Sequence, residues 1–294
     1  METPPEAREG LVLLDKPTGM TSHDCVAAIR RGLPRGSKVG HGGTLDPFST
    51  GLLIVMVGSC TRLAPFFQGM DKTYEGVIRF GVGTDTLDRD GAVTETSEPP
   101  GLSSEAWKEE ASRFVGPQLQ IPPAFSAKRV GRVRAYELAR KGLAPELAPA
   151  QVTVYSFDVT PLNLADVAFR LRCSSGTYVR ALARDMGARL GCPAHCLELR
   201  RTDVGPFDVR SANTLEGPFD APGFVPFADV DLGFPKHQAD HREERLILNG
   251  HKIPARRELH GAEGPVKIVA PSGRFLAVGR VDGRDIQPAV VFPE

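Results

Sequence analysis

The stretch "VAFRLRCSSGTYVRALARDMGARLG", Val167 to Gly191, changes its hydrophobic period from two to about 3.6 across three small residues. Val167, Phe169, Leu171 and Cys173 alternate with Ala168, Arg170 and Arg172, the pattern of a strand with one buried face. Beyond "SSG", Tyr178, Ala181, Leu182, Met186 and Leu190 recur at helical spacing, and Gly191 can terminate the helix. Working outward, "GLVLLDKP" from Gly10 reads as a brief buried strand closed by a proline turn, and "LLIVMVG", Leu52 to Gly58, as a strand buried on both faces. "TYEGVIRFGVG" sets Tyr74, Gly76, Ile78 and Phe80 on one face and Glu75, Val77 and Arg79 on the other. In "TSHDCVAAIRRG", Thr21 and Asp24 have the form of a capping box and Gly32 suits the helix exit. Strands and helices mix without regular alternation, so the expected class is α+β on a mixed, largely antiparallel sheet rather than a doubly wound parallel one.

A chain of 294 residues favours one large domain with a smaller appendage. Hydrophobic residues at 41% and charged residues at 24% provide a core of ordinary size for a globular protein. Residues 1–9 have the composition of a disordered tail, and residues 10–237 form the expected main domain. From Leu215 to Pro235 the sequence turns rich in proline and phenylalanine, as an extended wrapping segment would. From 238 to 294, "PVKIVA", "RFLAVGRV" and "AVVFP" are short strands between glycine turns, a small β-rich domain. No run approaches the roughly 18 apolar residues of a membrane span, and "METPPEAREG" lacks the features of a secretory signal, so a cytoplasmic protein without membrane attachment is expected. Five scattered cysteines suit reduced thiols.

Formal charge balances at zero, yet its distribution is uneven. Ile121 to Gly142 holds six cations (Lys128, Arg129, Arg132, Arg134, Arg140, Lys141) against Glu137, while Asp85 to Glu110 holds eight acids against Arg89 and Lys108. Such segregation suggests one face for phosphates and another turned away from them; a solvated charged surface is the plainer alternative.

Metal and nucleotide chemistry find no support. "CPAHC", Cys192 to Cys196, has no second ligand pair at zinc spacing, and "TLDRDG" puts Thr86 and Ser97 where a calcium loop needs its first ligand and closing glutamate. "GVG" at Gly81 lacks a dinucleotide fingerprint and no Walker pattern exists, so no metal or cofactor is expected. "GHGGTLDPFSTG", Gly40 to Gly51, holds one carboxylate, Asp46, with His41 upstream. Pro47 favours an extended Asp46, and Gly42 and Gly43 leave room for another backbone to approach. Turn formation and reactivity both accommodate that acid.

Six blocks in order carry more weight than any one: "DKPTGMTS" (Asp15 to Ser22), "GHGGTLDPFSTGLL" (Gly40 to Leu53), "KTYEG" (Lys72 to Gly76), "PPAFSA…RAYELAR" (Pro122 to Arg140), "SSGTYVRALARDMG" (Ser174 to Gly187) and "LRRTDVGPF" (Leu199 to Phe207). The chain closely resembles the bacterial tRNA pseudouridine synthase B family, which acts on uridine 55 of the TΨC loop, from about residue 10 to the end. The resemblance implies a terminal PUA domain and assigns Asp46 as nucleophile, Tyr74 as the tyrosine stacked on the uracil and implicated in removing a proton, Arg180 as the partner of the aspartate, and Tyr178 as a neighbouring active-site tyrosine. It places His41 near the extruded nucleotide, Leu199 beneath the base, and Gly42, Gly43 and Thr44 around the substrate, with Lys16 and Pro17 as the motif that supports the catalytic loop. Arg129 and Arg132 stand where the family usually has lysine and glycine.

Isomerisation needs neither cofactor nor metal, and one carboxylate suffices because no water has to be activated. Arg180 would hold that carboxylate charged and oriented. The resemblance implies tRNA as partner: an insertion at about 121–148, with Lys128, Arg129, Arg132 and Arg134, would grip the T-arm, and Arg242, Arg245, Lys252, Arg256 and Arg257 would reach the acceptor stem. A monomer needing no protein partner is expected. The competing readings are a non-catalytic tRNA-binding protein, a guide-RNA-dependent synthase such as dyskerin, and an N-glycosidase that releases uracil.

Overall fold

The computed structural model describes residues 8–126, 128–131, 133–143, 147–261 and 264–293. Most of the expected tail and Arg132 lie outside the described residues, and for Arg129 and Arg134 the backbone alone is described.

A ten-stranded sheet dominates. Its strands are β1 (Gly10–Lys16), β2 (Val39–His41), β3 (Thr50–Val57), β4 (Lys72–Phe80), β5 (Gly116–Gln120), β6 (Ala150–Pro161), β7 (Asp166–Cys173), β8 (Ala194–Val204), β9 (Phe207–Asp208) and β10 (Phe224–Pro226). They lie in the order β10-β1-β3-β8-β4-β7-β6-β5, with β2 on β3 and β9 on β8. Every pairing is antiparallel except β3 with β8, so the sheet is mixed and largely antiparallel, as the sequence indicates.

The unbroken apolar run of β3 follows from cover on both faces. Leu53, Val55 and Val57 pack with Cys25, Val26 and Ile29 of α1 (Ser22–Arg31), while Leu52, Ile54 and Met56 pack with Leu63 and Phe67 on the other side. The capping box of α1 forms as read, Thr21 Oγ1 accepting from the Asp24 N–H and the Asp24 carboxylate from the Thr21 N–H. Two short helices that the sequence reading left unassigned, α2 (Ala64–Gly69) and α3 (Ser104–Ser112), flank the sheet; Trp107 of α3 is buried against Phe80, ring centroids 4.6 Å apart. The insertion carries a short helix, α4 (Ala135–Ala139). α5 (Val179–Arg189) starts one residue later than its periodicity suggests, leaving Tyr178 as the N-cap.

The second sheet is built from β11 (Lys236–Gln238), β12 (Ile253–Pro254), β13 (Pro265–Val269), β14 (Phe275–Asp282) and β15 (Asp285–Val291), in the order β11-β13-β14-β15-β12. It also contains α6 (His241–Leu248), which the strand-only expectation missed although Asp240 and Glu243 form a full capping box. Phe227 of the proline-rich segment stacks on Phe275 at 5.3 Å and 9°, and Phe275, Val278 and Phe292 share one core cluster with Leu11, Leu13 and Leu52. All five cysteines are buried free thiols.

Candidate active site

The loop between β2 and β3 is glycine-rich, yet its backbone is fixed by side chains from three directions. Ser22 Oγ accepts from the Leu45 N–H at 2.8 Å and donates to the Leu45 carbonyl at 3.1 Å. Arg201, on β8, donates to the carbonyls of Gly43 at 3.1 Å, Thr44 at 3.4 Å and Leu52 at 2.8 Å. Pro47 O accepts from the Gly19 N–H at 2.8 Å and from Lys16 Nζ at 3.3 Å; Phe48 O accepts from Thr18 Oγ1 at 3.2 Å, and Asp46 O from the Ser49 N–H at 3.1 Å. From Gly43 to Phe48 each carbonyl therefore has a donor, and the carboxylate of Asp46 is carried on a pre-set backbone. Lys16 and Pro17 act here from outside the cavity: Lys16 is fully buried and also bonds the carbonyls of Pro17 and Met20 at 2.8 and 2.7 Å.

Asp46, Tyr74, Tyr178 and Arg180 meet at one cavity of about 350 Å³. Arg180 projects from the first turn of α5 with only 4% of its side chain exposed. Its Nε lies 2.8 Å from Asp46 Oδ2 in an ion pair, while Nη1 donates to Thr86 O at 2.6 Å and Nη2 to Phe125 O at 2.9 Å. Nη1 also lies 3.4 Å from Asp88 Oδ2. Asp88 belongs to the acidic segment expected to face away from phosphates; it is instead buried against the arginine, because loop 84–91 folds back over α5. Burial pushes the Asp88 carboxyl up, opposed by the Thr86 hydroxyl and the Arg180 guanidinium.

Tyr74 sits in register between Leu171 on β7 and Arg201 on β8, so sheet pairing alone aims it at the cavity. Burial raises its phenol, with the Arg201 guanidinium pulling the other way, and burial likewise raises Tyr178. Both tyrosines are thus protonated at neutral pH. Gln120, at the end of β5, holds the backbone of Tyr178 from both sides: Oε1 accepts its N–H at 2.8 Å and Nε2 donates to its carbonyl at 3.1 Å. Lys72 borders the same cavity, its ammonium donating to the carbonyls of Phe67, Gln68 and Met70 at 3.1, 2.7 and 2.6 Å. Burial and neighbouring Arg201 bring it down to about 8.

Gly43, Thr44 and Leu199 line the cavity, whereas Leu197 falls at a bulge of β8 and does not. Gly42 does not line it either; a Cβ there would come within 2.6 Å of Phe67 Cβ, so the room it leaves is taken by a ring rather than by a substrate or a backbone. His41, whose Nδ1 accepts from the Gly43 N–H at 3.4 Å, borders a second cleft on the far side of Asp46, with Tyr136 and Arg140. Lys128 donates to Ala148 O at 3.4 Å, closing the base of the insertion. No local pattern marks Lys72, Arg201, Gln120 or Asp88 as site residues, although the first two stand inside "KTYEG" and "LRRTD".

Residues 30–179 match the TruB family pseudouridylate synthase (N terminal domain), and residues 180–221 match the tRNA pseudouridylate synthase B C-terminal domain. The tRNA pseudouridine synthase B of Thermobifida fusca (strain YX) is 41% identical over 293 residues, 97% of this chain and 98% of its own. That of Solibacter usitatus is 41% identical over 281 residues, 93% and 96% of the two chains. Among solved structures, a chain in the crystal structure of a Cbf5-Nop10-Gar1 complex superposes with a TM-score of 0.72 at 24% identity, covering 98% of this chain and 86% of that one. A chain in an H/ACA RNP bound to a substrate RNA containing 2'-deoxyuridine gives 0.70 at 22% identity, with 100% and 92% covered; at these identities the likeness bears on the fold.

Proposed function

The chain belongs to the TruB family of pseudouridylate synthases, and from that premise we propose that it converts uridine 55 in the TΨC loop of tRNA to pseudouridine with Asp46 as nucleophile. It is an isomerase, a tRNA pseudouridine synthase. The reaction breaks the N1–C1′ bond, turns the uracil and joins C5 to C1′. One observation carries the nucleophile assignment. Asp46 Oδ2 is held at 2.8 Å by a buried arginine, and among the described residues lining the cavity it is the only carboxylate. A hydrolase that activates water with a second acid would need a different wall.

The uridine must leave its stack, at a cost of a few kcal/mol, and stacking on Tyr74 returns about 1 to 3 kcal/mol. His41, in the cleft beyond Asp46, fills the space beside the extruded nucleotide. Lys128, Arg129, Arg132 and Arg134 of the insertion contact the T-arm, and the second sheet, acting as a PUA domain, reaches the acceptor stem. The protein works in the cytoplasm as a monomer, without a guide RNA.

The test is Asp46→Ala on an unmodified T-arm hairpin, with pseudouridine mapped by chemical labelling. The rate should fall on the order of 10⁴-fold or more while the hairpin still binds. Undiminished pseudouridine formation would remove Asp46 from the nucleophile's role. Free uracil in the mixture would indicate a glycosidase, and a requirement for added guide RNA would indicate the other synthase class.

A further inference from the structure

Two buried cations border the cavity with no acid to balance them. Lys72 is 7% and Arg201 2% exposed, and among the described residues neither forms an ion pair; the carboxylate that lines the cavity, Asp46, is paired with Arg180. Each is solvated by three backbone carbonyls, which lower the cost of burial without neutralising the charge. They flank the tyrosine that stacks on the base: Lys72 is two residues before Tyr74 on β4, and Arg201 faces Tyr74 on β8. The other buried lysine at the catalytic loop, Lys16, stands outside the cavity. Fastening of loop and helix accounts for the carbonyl contacts, but a neutral donor could supply those at lower cost.

We propose that Lys72 and Arg201 stabilise the negative charge that develops on the uracil during isomerisation, an inference that rests on the roles given above to Asp46 and Tyr74. Both routes open to the carboxylate create that charge. If Asp46 attacks C1′, a C1′–O bond forms, N1–C1′ breaks, and its electron pair stays on N1, spread over the ring oxygens. C5 then displaces the carboxylate from C1′, the proton on C5 is lost to a base, and N1 takes a proton. If Asp46 adds to C6, the C5–C6 π pair moves onto C5 and O4. In either case the uracil becomes an anion beside two buried cations, and a fixed charge with little solvent around it is more effective than one in bulk water.

The groups facing the Lys72 ammonium are Arg201 on β8, Cys173 on β7 and Asp71 just before β4, while α2 offers carbonyls. Asp71 is engaged by Tyr155 at 3.1 Å and Arg172 at 3.4 Å, and burial holds the Cys173 thiol up at about 11. Around pH 8 the group that titrates here is therefore Lys72. Its protonated form is the stabilising one, so the rate is full below that pH and lost above it.

Single-turnover rates on the T-arm hairpin from about pH 6 to 10 test this. Wild type should show an alkaline limb with a midpoint near 8. Lys72→Arg should retain most of the rate and move the limb upward by at least about one pH unit, as a guanidinium keeps its proton. Lys72→Met should be slower by on the order of 10²-fold, with no limb near 8 and unchanged hairpin affinity. The proposal falls if wild type lacks the limb, which needs no variant to fold, or if Lys72→Met keeps the rate or the limb, or Lys72→Arg is as slow as Lys72→Met. An active Asp46→Ala would instead overturn the assignment on which it rests.

Discussion

Gly51 faces Lys16 on one neighbouring strand and Arg201 on the other, so two of the buried cations at the site converge on one residue without a side chain. A Cβ there would lie 2.2 Å from Arg201 O and 2.8 Å from its N, and its φ of +101° disfavours any other residue. Gly51→Ala should cost on the order of 3 kcal/mol, read as a lower urea midpoint, with reduced activity because a displaced Arg201 releases Gly43 and Thr44. At this scale the sequence revealed where room is needed more readily than for what. Gly42 has the sequence context of a close backbone approach and accommodates Phe67, while nothing local in the sequence marks the tighter approach at Gly51. Asp46 became legible through the blocks around it and not through local turn chemistry. Asp88 does not stand out from its acidic segment because its partner, Arg180, is remote in the chain and a long-range buried contact leaves no local pattern.

The N-terminus of α5 has no side-chain cap of its own and relies on β5, whose Gln120 amide pairs with Tyr178. Gln120 also begins the insertion, and Arg184 and Arg180 fasten the same segment through Ile121 O and Phe125 O, each at 2.9 Å. Gln120→Met keeps the bulk and loses both bonds. It should destabilise the protein by about 1 to 3 kcal/mol and slow single turnover roughly tenfold, with Gln120→Glu intermediate because it keeps the acceptor. Thermal unfolding and single-turnover rates on the hairpin check this. β4, β7 and α5, with their long periodic patterns, and α1, with its capping box, were legible in the sequence, whereas α6 was not, although it too carries a capping box. β5 is too short and too exposed for alternation to register, and α3 presents only charged and small residues around Trp107.

Across the whole molecule, Phe227, Phe275 and Phe292 bind the two sheets into one apolar cluster. Phe275→Ala should cost about 3 to 5 kcal/mol, and calorimetry should show both sheets melting in one transition in wild type. A second, earlier transition in the variant would locate the loss at this junction. The sequence signals a change of composition near residue 238, but ring contacts that cross it follow no periodicity. The same separation between chain order and spatial order governs β8. It comes late in the chain, yet in space it alone, among the described residues, joins the β10-β1-β3 half of the large sheet to the β4-β7-β6-β5 half. It also brings Leu199 and Arg201 to the cavity. During translation β1, β3, β4 and β7 emerge before β8, so the facing edges of β3 and β4 stay unpaired until it does, and the strand that joins them is the one that completes the pocket. A chain that stops short of β8 lacks both the bridge between β3 and β4 and the walls that Leu199 and Arg201 supply, so closure of the sheet and completion of the cavity are a single event.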